Sequence, residues 1–177
     1  MKKYIVAGLL AILAASNAYA EEKKNELSAF LYVNNQITPS GQDPTVTVYA
    51  SYGRYLKERV VLTVSASMIA SGGFTMGGPG VGVKYYFKTG QKGDFVPFLS
   101  GEGQFGLGGD ANTDIYYYNL AVGGGASYFV TETASLDGRL VYQLGSMTTT
   151  TYTGFGSFDS TSSTTAMLLT VGLTQRF

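Results

Sequence analysis

The chain has 177 residues, with twelve basic and twelve acidic side chains and no histidine, cysteine or tryptophan. This length predicts a single domain. The lack of cysteine excludes disulfides, thiol chemistry and a lipoprotein anchor, and the balanced charge gives no electrostatic basis for binding nucleic acid. Glycine (24), tyrosine (14) and phenylalanine (10) are abundant while proline is rare (4), a composition that favours β-strands.

The first twenty residues predict a secretory signal peptide. Lys2 and Lys3 form a basic start, Ile5 to Ala15 form an apolar stretch, and Ala18-Tyr19-Ala20 is a cleavage site of the small-x-small type. An uncleaved anchor helix is less favoured, because the apolar stretch is too short to cross about 30 Å of hydrocarbon. The mature domain is therefore expected to cover residues 21–177 with a formal charge of −2, since cleavage removes two lysines.

The rest of the chain divides into eight stretches in which apolar and polar residues alternate. In the third stretch, for example, Leu62, Val64 and Met68 alternate with Thr63 and Ser65. A period of two predicts strands with one face in apolar surroundings. The predicted strands lie near residues 26–36, 45–55, 60–68, 81–87, 97–107, 119–128, 136–144 and 166–177. The main predicted loops are the glycine-rich segment 71–79, the segment 108–114 and the Thr/Ser-rich segment 147–165.

The polar face distinguishes a membrane barrel from a soluble β-protein. It carries mainly Ser, Thr, Gly, Asn and Gln, whereas a soluble protein would place many Lys and Glu on its wet face. Small polar residues suit the narrow interior of an eight-stranded barrel whose outer face is apolar. Lipid forbids unpaired strand edges, so the sheet must close. The sequence thus predicts an all-β, eight-stranded, antiparallel up-and-down transmembrane barrel, with a soluble exported β-protein as the least favoured alternative.

Four charged residues fall on the polar face: Lys84, Glu102, Asp137 and Arg139. We hypothesise that they form a salt-bridge network that plugs the lumen, because charges buried there require partners. The alternative is the polar lining of a narrow conduit. The plug is favoured, since eight strands leave little free lumen.

Loops and aromatic residues predict the orientation. Segments near residues 57, 88 and 131 read as short periplasmic turns, which hold Lys57, Arg59, Lys88 and Lys92, and those near residues 41, 72, 110 and 152 as longer outer loops with aspartate and no Lys or Arg. Aromatic residues at strand ends predict two interfacial girdles. The periplasmic girdle would hold Tyr52, Tyr85, Phe87, Phe95, Tyr128 and Phe177, and the outer one Phe105, Tyr116, Tyr117, Tyr118 and Tyr152.

The last strand resembles the C-terminal signature of outer-membrane barrels, a terminal aromatic preceded by apolar residues at alternate positions. The matching residues of the segment 169–177 are Leu169, Val171, Leu173 and Phe177, with Gly172 between them, while Gln175 departs from the pattern. Segments 95–99 and 122–129 are similar to the small eight-stranded superfamily of opacity-type surface proteins. This resemblance implies an outer-membrane location after signal-peptide cleavage and a last strand that the barrel-assembly machinery reads.

The resemblance implies little about function, because the superfamily includes adhesins, complement-resistance factors and channels for hydrophobic molecules. We expect no enzyme, since a serine nucleophile has no histidine base here, and no cofactor or metal site, because the loop aspartates Asp110 and Asp114 read as surface charge. A structural or adhesin-like role is favoured, with Thr148 to Thr165 as the candidate loop for a surface ligand. A conduit for small hydrophobic molecules is the alternative. Glycines at predicted lipid-facing positions could loosen the wall for it: Gly101, Gly103, Gly124 and Gly138.

Overall fold

The computed structural model describes residues 24–34, 45–71 and 74–177. The predicted signal peptide lies outside these residues and remains a prediction. Within them, no helix has the length and apolar character needed to cross a membrane. The eight strands are β1 (Asn25–Asn34), β2 (Thr45–Lys57), β3 (Val60–Ser71), β4 (Phe74–Tyr86), β5 (Phe95–Asp110), β6 (Thr113–Phe129), β7 (Ala134–Thr153) and β8 (Gly156–Arg176).

The strands form one closed antiparallel ring in chain order. Each strand pairs with the next, and β8 returns to β1, where the pairing runs from Glu26 opposite Arg176 to Leu31 opposite Val171. Backbone bonds between Asn25 and Phe177, at 2.9 and 3.0 Å, complete this seam. The predicted eight-stranded up-and-down barrel is confirmed. We name the end that holds residues 24 and 177 the lower end, and the opposite end the upper end.

Polar side chains face the inside of the barrel and apolar side chains face the outside, as the alternation predicts. On β1, the inward Ser28 is 1% exposed whereas the outward Leu31 is 44% exposed. Because successive side chains of a strand point to opposite faces, this reversal repeats around the ring. Every strand contributes at least one exposed, outward apolar side chain, for example Leu31, Tyr52, Leu62, Val81, Leu99, Leu120, Leu140 and Leu169.

Two predicted loops near the upper end are wrong. The glycine-rich segment 71–79 is mostly strand, because β4 begins at Phe74 and pairs with β3 through Gly77 and Gly78. A side chain is excluded at Gly78, where a Cβ atom would lie 2.0 Å from the Phe105 carbonyl oxygen of β5. Segment 108–114 is also mostly strand: β5 ends at Asp110 and β6 begins at Thr113.

The prediction of a long outer loop over residues 147–165 is also wrong, because the chain forms a β-hairpin there. Strand β7 ends at Thr153 and β8 begins at Gly156, so residues 154 and 155 alone connect them. The strands lengthen from 10 residues in β1 to 21 in β8. The wall on the β5–β8 side is therefore extended by strands where the sequence suggested loops.

Candidate functional site: the lumen and the β7–β8 hairpin

A buried ion cluster occupies the lower lumen. Lys84 on β4 lies 2.9 Å from the Glu26 carboxylate of β1 and 3.8 Å from the Asp137 carboxylate of β7. All three side chains are 6% exposed or less. The strand alternation aims them inward from three parts of the ring, so that one ammonium group faces two carboxylates. Buried charges need partners of this kind, because their desolvation is costly.

Hydroxyl groups complete the hydrogen bonding of both carboxylates. Tyr55 and Tyr86 each donate to Glu26 Oε2 at 2.9 Å. Thr174 and Ser135 donate to the two oxygens of Asp137 at 2.6 and 2.8 Å. Lys84 also donates to the Tyr86 hydroxyl at 2.9 Å. The cluster is therefore a connected network, which is the condition under which buried polar groups specify a structure.

A layer of apolar side chains closes the lower lumen beside this cluster. Its members are 0–1% exposed, with Tyr55 partly buried against them: Val61, Tyr86, Val96, Phe98 and Phe129. Burial to this degree leaves no continuous water-filled channel through the layer. The layer and the ion cluster together fill the lower part of the barrel, as the packed interior of an eight-stranded ring requires.

A second polar group lies higher in the lumen, around Tyr49. Glu102 accepts hydrogen bonds from Tyr49 at 2.6 Å, from Gln104 at 3.0 Å and from Ser65. The Arg139 guanidinium lies 5.0 Å from the centre of the Tyr49 ring. Its Nε atom donates a hydrogen bond to the Thr170 hydroxyl of β8 at 3.0 Å. Glu102 and Arg139 also line an internal cavity of about 50 Å³, which is room for a few water molecules.

The structure divides the four predicted lumen residues between these two groups. All four lie on the inward face; Lys84 and Asp137 form an ion pair, while Glu102 and Arg139 meet at Tyr49. Among the described residues, no ion pair joins the lower group to the upper one. Sequence reasoning missed Glu26 of the lower cluster. The available signal was its position in the alternating pattern of β1, since Glu26, Ser28 and Phe30 share the inward face.

Replacing Glu102 by alanine should destabilise the barrel, because the hydroxyls of Tyr49 and Ser65 lose their acceptor. An unsatisfied buried group costs about 1–3 kcal/mol, so we expect a loss in that range. The measurement is the temperature at which the folded band of the detergent-solubilised protein converts to the unfolded band on a gel. Replacing the exposed Glu58 by alanine is the control, and an equal temperature for both variants would contradict the role of Glu102.

The four glycines proposed to loosen the wall lie on the outward face and leave surface depressions. A Cβ atom added at Gly101 or Gly138 would meet no atom within 4 Å. At Gly103 and Gly124 it would meet leucine side chains, at 3.5 and 3.3 Å. Strand pairing continues through all four positions. These glycines thus thin the outer surface while the hydrogen-bonded wall stays intact.

The residues of the predicted assembly signal face outward, except Gly172. Leu169 and Val171 are exposed on the outer face, and the Phe177 ring packs 6.4 Å from that of Tyr52 beside the β1–β8 seam. Gly172 faces inward, where a Cβ atom would lie 2.4 Å from both the Ala29 carbonyl and the Phe30 ring. The recognition of this strand by the assembly machinery stays a prediction.

Gly172 and Gly138 form a matched pair on neighbouring strands for testing this packing. Replacing Gly172 by valine should cost about 1–3 kcal/mol, because overpacking forces the Phe30 ring and the backbone to move. Replacing Gly138 by valine should cost far less, since the space outside it is open. Urea unfolding of the two variants in the same detergent measures the difference, and equal losses would count against the inward placement of Gly172.

The β7–β8 hairpin extends beyond the upper aromatic residues. Tyr116 pairs with Thr148, and Thr148 with Thr161, so five further residue pairs stand above this level up to Thr153 and Gly156. At about 3.3 Å per residue they project some 16 Å. Tyr117, predicted in the outer girdle, instead points into the lumen, where its hydroxyl lies 3.1 Å from the Ser67 Oγ atom.

Hydrogen bonds to the start of β6 and to the turn before it fix the position of the hairpin. The Tyr152 hydroxyl donates to Asp114 at 2.9 Å, and the Tyr152 amide donates to the Asn112 carbonyl at 2.8 Å. The hydrogen bond to the Asp114 carboxylate raises the pKa of the Tyr152 phenol. At the tip, Phe155 is fully exposed and Phe158 is 65% exposed. The hairpin thus presents two aromatic rings on a braced scaffold of threonine and serine.

Among the described residues, no group of three or more acidic side chains is placed to hold a metal ion. No family model matches the sequence, and no curated protein matches it. Solved structures do share the fold. The N-terminal β-barrel domain of OprF from Pseudomonas aeruginosa aligns over 88% of this chain and 98% of its own, with a TM-score of 0.58 and 16% identity. Neisserial surface protein A (NspA) aligns over 86% and 95%, with a TM-score of 0.51 and 16% identity. These likenesses place the chain in the class of small eight-stranded β-barrels.

Proposed function

We propose that this chain is an integral barrel of the bacterial outer membrane with a structural or surface-interaction role. The observation that carries the proposal is the reversed polarity of the ring, in which all eight strands present apolar side chains outward and polar ones inward. Soluble monomers rarely expose apolar patches larger than a few hundred square ångströms. An apolar belt around a whole barrel matches a lipid environment, where only a closed ring leaves no backbone group unpaired.

The height of the belt supports this location. On β6 the outward rings of Tyr128 and Tyr118 are ten residues apart, near the lower and upper edges of the belt. Ten residues at about 3.3 Å each, on strands tilted by about 40°, give a height close to the ~25 Å apolar band of outer-membrane barrels. Tyrosine at both edges suits the two membrane interfaces.

The charges at the two ends support an orientation with the lower end in the periplasm. The three lower connections and their flanks carry four basic and three acidic residues, a net charge of +1, namely Lys57, Arg59, Lys88 and Lys92 against Glu58, Asp94 and Glu132. The upper ends of the described strands instead carry Asp110, Asp114 and Asp159. In this orientation the β7–β8 hairpin lies on the cell surface. The name of the neisserial protein with the similar fold, a surface protein, agrees with such a placement.

The hairpin is the element that we assign to a surface partner. Loops and extensions on a rigid barrel commonly carry binding residues. Aromatic rings provide large contact areas at low entropic cost, as interface hot spots do. Phe155 and Phe158 are the exposed rings, and Tyr152 anchors the strand beneath them.

The buried lower lumen supports this role over a conduit for hydrophobic molecules. A conduit needs an opening through the lumen or the wall, yet the layer around Tyr86 and Phe98 is 0–1% exposed. The outward glycines leave depressions without breaking the strand pairing. We also propose that the protein is not an enzyme, because the lumen carboxylates Glu26, Glu102 and Asp137 are all engaged in hydrogen bonds and the chain supplies no histidine base.

Gel migration of the membrane fraction, with and without boiling, tests the proposal. A closed barrel in the outer-membrane fraction should migrate faster unheated, because boiling unfolds the compact ring. Detergent extraction should be needed to release it. A heat-insensitive protein in the soluble periplasmic fraction would contradict the membrane location and favour a soluble β-protein.

Changing the two tip rings should reduce surface binding while leaving the barrel intact. We expect the double variant Phe155→Ser/Phe158→Ser to lose about tenfold in attachment of expressing cells to epithelial cell layers, equivalent to about 1.4 kcal/mol. The control is Thr149→Ala/Ser160→Ala, a cross-strand pair lower in the same hairpin. Unchanged attachment of the tip variant would contradict the role of the hairpin, and its unchanged heat shift would show that the barrel is folded.

A further inference from the structure

A vestibule of about 560 Å³, open to the outside, lies at the lower mouth of the barrel. Its floor is formed by inward-facing residues at strand ends, Tyr55, Tyr86 and Arg176, and Lys57 and Lys88 line its sides. The volume is that of a small-molecule site. Because the floor lies inside the strand ring, the vestibule opens along the barrel axis toward water.

Arg176 at the floor is a buried cation with unused donor capacity. Its side chain is 6% exposed, and its guanidinium lies 4.2 Å from the centre of the Phe129 ring and 4.7 Å from that of Tyr86. Its Nε atom is buried and has no hydrogen-bond partner. Rings that flank a guanidinium hold its plane fixed. A fixed guanidinium has the geometry that recognises carboxylate and phosphate groups.

The ion cluster above the floor is centred on Lys84, which lies against both Glu26 and Asp137, at 2.9 and 3.8 Å. Arg176, opposite Glu26 on the neighbouring strand, offsets the second carboxylate. Apart from Arg176, the vestibule is lined by three cationic and two acidic side chains, an excess of one positive charge: Lys24, Lys57, Lys88, Glu58 and Glu132. A concave surface with this excess favours an anion.

The connection 87–94 holds one side of the vestibule in place. The Gly93 amide donates to the Phe129 carbonyl at 2.8 Å, and the Phe129 amide donates to the Asp94 carbonyl at 2.9 Å. Gly90 packs directly on the Phe129 ring, since a Cβ atom there would lie 2.2 Å from it. Lys88 is oriented by Asp94, at 3.4 Å. Asp94 thus orients Lys88, and the connection that carries Lys88 is fixed to β6 before any ligand enters.

We infer that this vestibule binds a water-soluble small molecule through a phosphate or carboxylate group, with Arg176 as the anchor and Lys57 and Lys88 as the flanking cations. This site lies at the opposite end of the barrel from the surface hairpin. The inference therefore goes beyond the proposed surface role, and it is tested on the isolated protein.

The test is a calorimetric titration of the refolded full chain in an uncharged detergent with sodium pyrophosphate, at ionic strength held constant with sodium chloride. Saturable binding of one equivalent in the range of about 0.01–1 mM is expected. Lys57→Gln/Lys88→Gln should weaken it by about tenfold or more. The matched control, Arg54→Gln/Lys92→Gln, removes the same charge from exposed residues of the lower half that do not line the vestibule.

Arg176→Lys tests the anchor, because it keeps the positive charge and removes the planar guanidinium that can donate two parallel hydrogen bonds. It should weaken binding by about tenfold, while the heat shift on gels reports that the barrel is folded. Equal weakening by the two double variants would mean diffuse attraction to a positive surface and would overturn the site. The absence of saturable binding by the unmodified chain up to about 10 mM would also overturn it. Neither result bears on the membrane location or the hairpin.

Discussion

Replacing Lys84 by methionine is expected to lower the free energy of unfolding of the barrel by about 3–5 kcal/mol, among the largest losses for a single residue of this chain. The substitution keeps an unbranched side chain of similar length but removes the ammonium group that faces Glu26 and Asp137. Both carboxylates then remain buried with Arg176, opposite Glu26, as the one cation left to share between them. The remaining donors, the hydroxyls of Tyr55, Tyr86 and Thr174, offset only part of that cost.

A second substitution distinguishes the loss of a charge partner from the loss of packing. Adding Glu26→Gln to Lys84→Met removes one uncompensated charge and keeps an acceptor for Tyr55 and Tyr86. We expect the double variant to be more stable than the sum of the single effects predicts, with a coupling of about 1–3 kcal/mol. Urea unfolding of the protein in lipid vesicles measures all three variants.

The control for this series is Lys92→Met in the exposed connection 87–94, which should change the unfolding free energy by no more than about 0.5 kcal/mol. Strictly additive effects of Lys84→Met and Glu26→Gln would contradict a shared ion cluster. Additivity is the usual behaviour of residues that do not interact. The lower lumen would then be stabilised by its apolar layer alone.

The sequence predicts the ring and its two faces because period-two alternation follows directly from a wall with an apolar outer surface and a polar interior. Leu62, Val64 and Met68 face outward, and Thr63 and Ser65 face inward, as their spacing indicates. The same logic fails above the apolar belt. From Thr151 to Thr153 and from Gly156 to Ser160, side chains on both faces of the hairpin are exposed, so the sequence carries no alternation although the strands continue.

Glycine-rich strands are difficult to recognise in the sequence for a related reason. Gly77, Gly78 and Gly80 of β4 have no side chains from which a period can be read, and the segment therefore looks like a loop. The close approach of the Phe105 carbonyl to Gly78 is a tertiary contact that local sequence does not report.

The candidate site was only partly predictable. Lys84, Glu102, Asp137 and Arg139 stand out because charges are rare on the inward face. Which of them meet depends on the stagger between strands that are distant in the chain, and alternation gives the face of a residue but not its height. Glu26 and Arg176 lie at the ends of the first and last strands, where charged residues usually face water. Alternation gives their inward face, but only the closure of β8 on β1, which sets Glu26 opposite Arg176, brings the two together.

Introducing arginine at Val122 should separate a membrane barrel from a soluble one by its effect on stability. Val122 lies on β6 between the outward rings of Tyr128 and Tyr118, and 60% of its surface is exposed. Its cross-strand partner Gly101 leaves open space beside it, so a longer side chain meets no steric barrier. In lipid, an outward arginine at the midplane costs about 2–4 kcal/mol. On a water-exposed surface the same change stays within about 0.5 kcal/mol.

Phe158→Arg supplies the comparison, because Phe158 is similarly exposed at 65% but lies in the hairpin above the belt. We expect Val122→Arg to lower the free energy of unfolding in vesicles by about 2–4 kcal/mol and Phe158→Arg to leave it almost unchanged.

A loss at Val122 with none at Phe158 requires surroundings in which a charge is unfavourable at the height of Val122 and tolerated at the height of Phe158. A bilayer has this property and water does not. Equal and small effects at both positions would mean that water surrounds the belt. The polar lumen would then be a hydrated interior of a soluble barrel, and the outward leucines would need a protein partner to cover them.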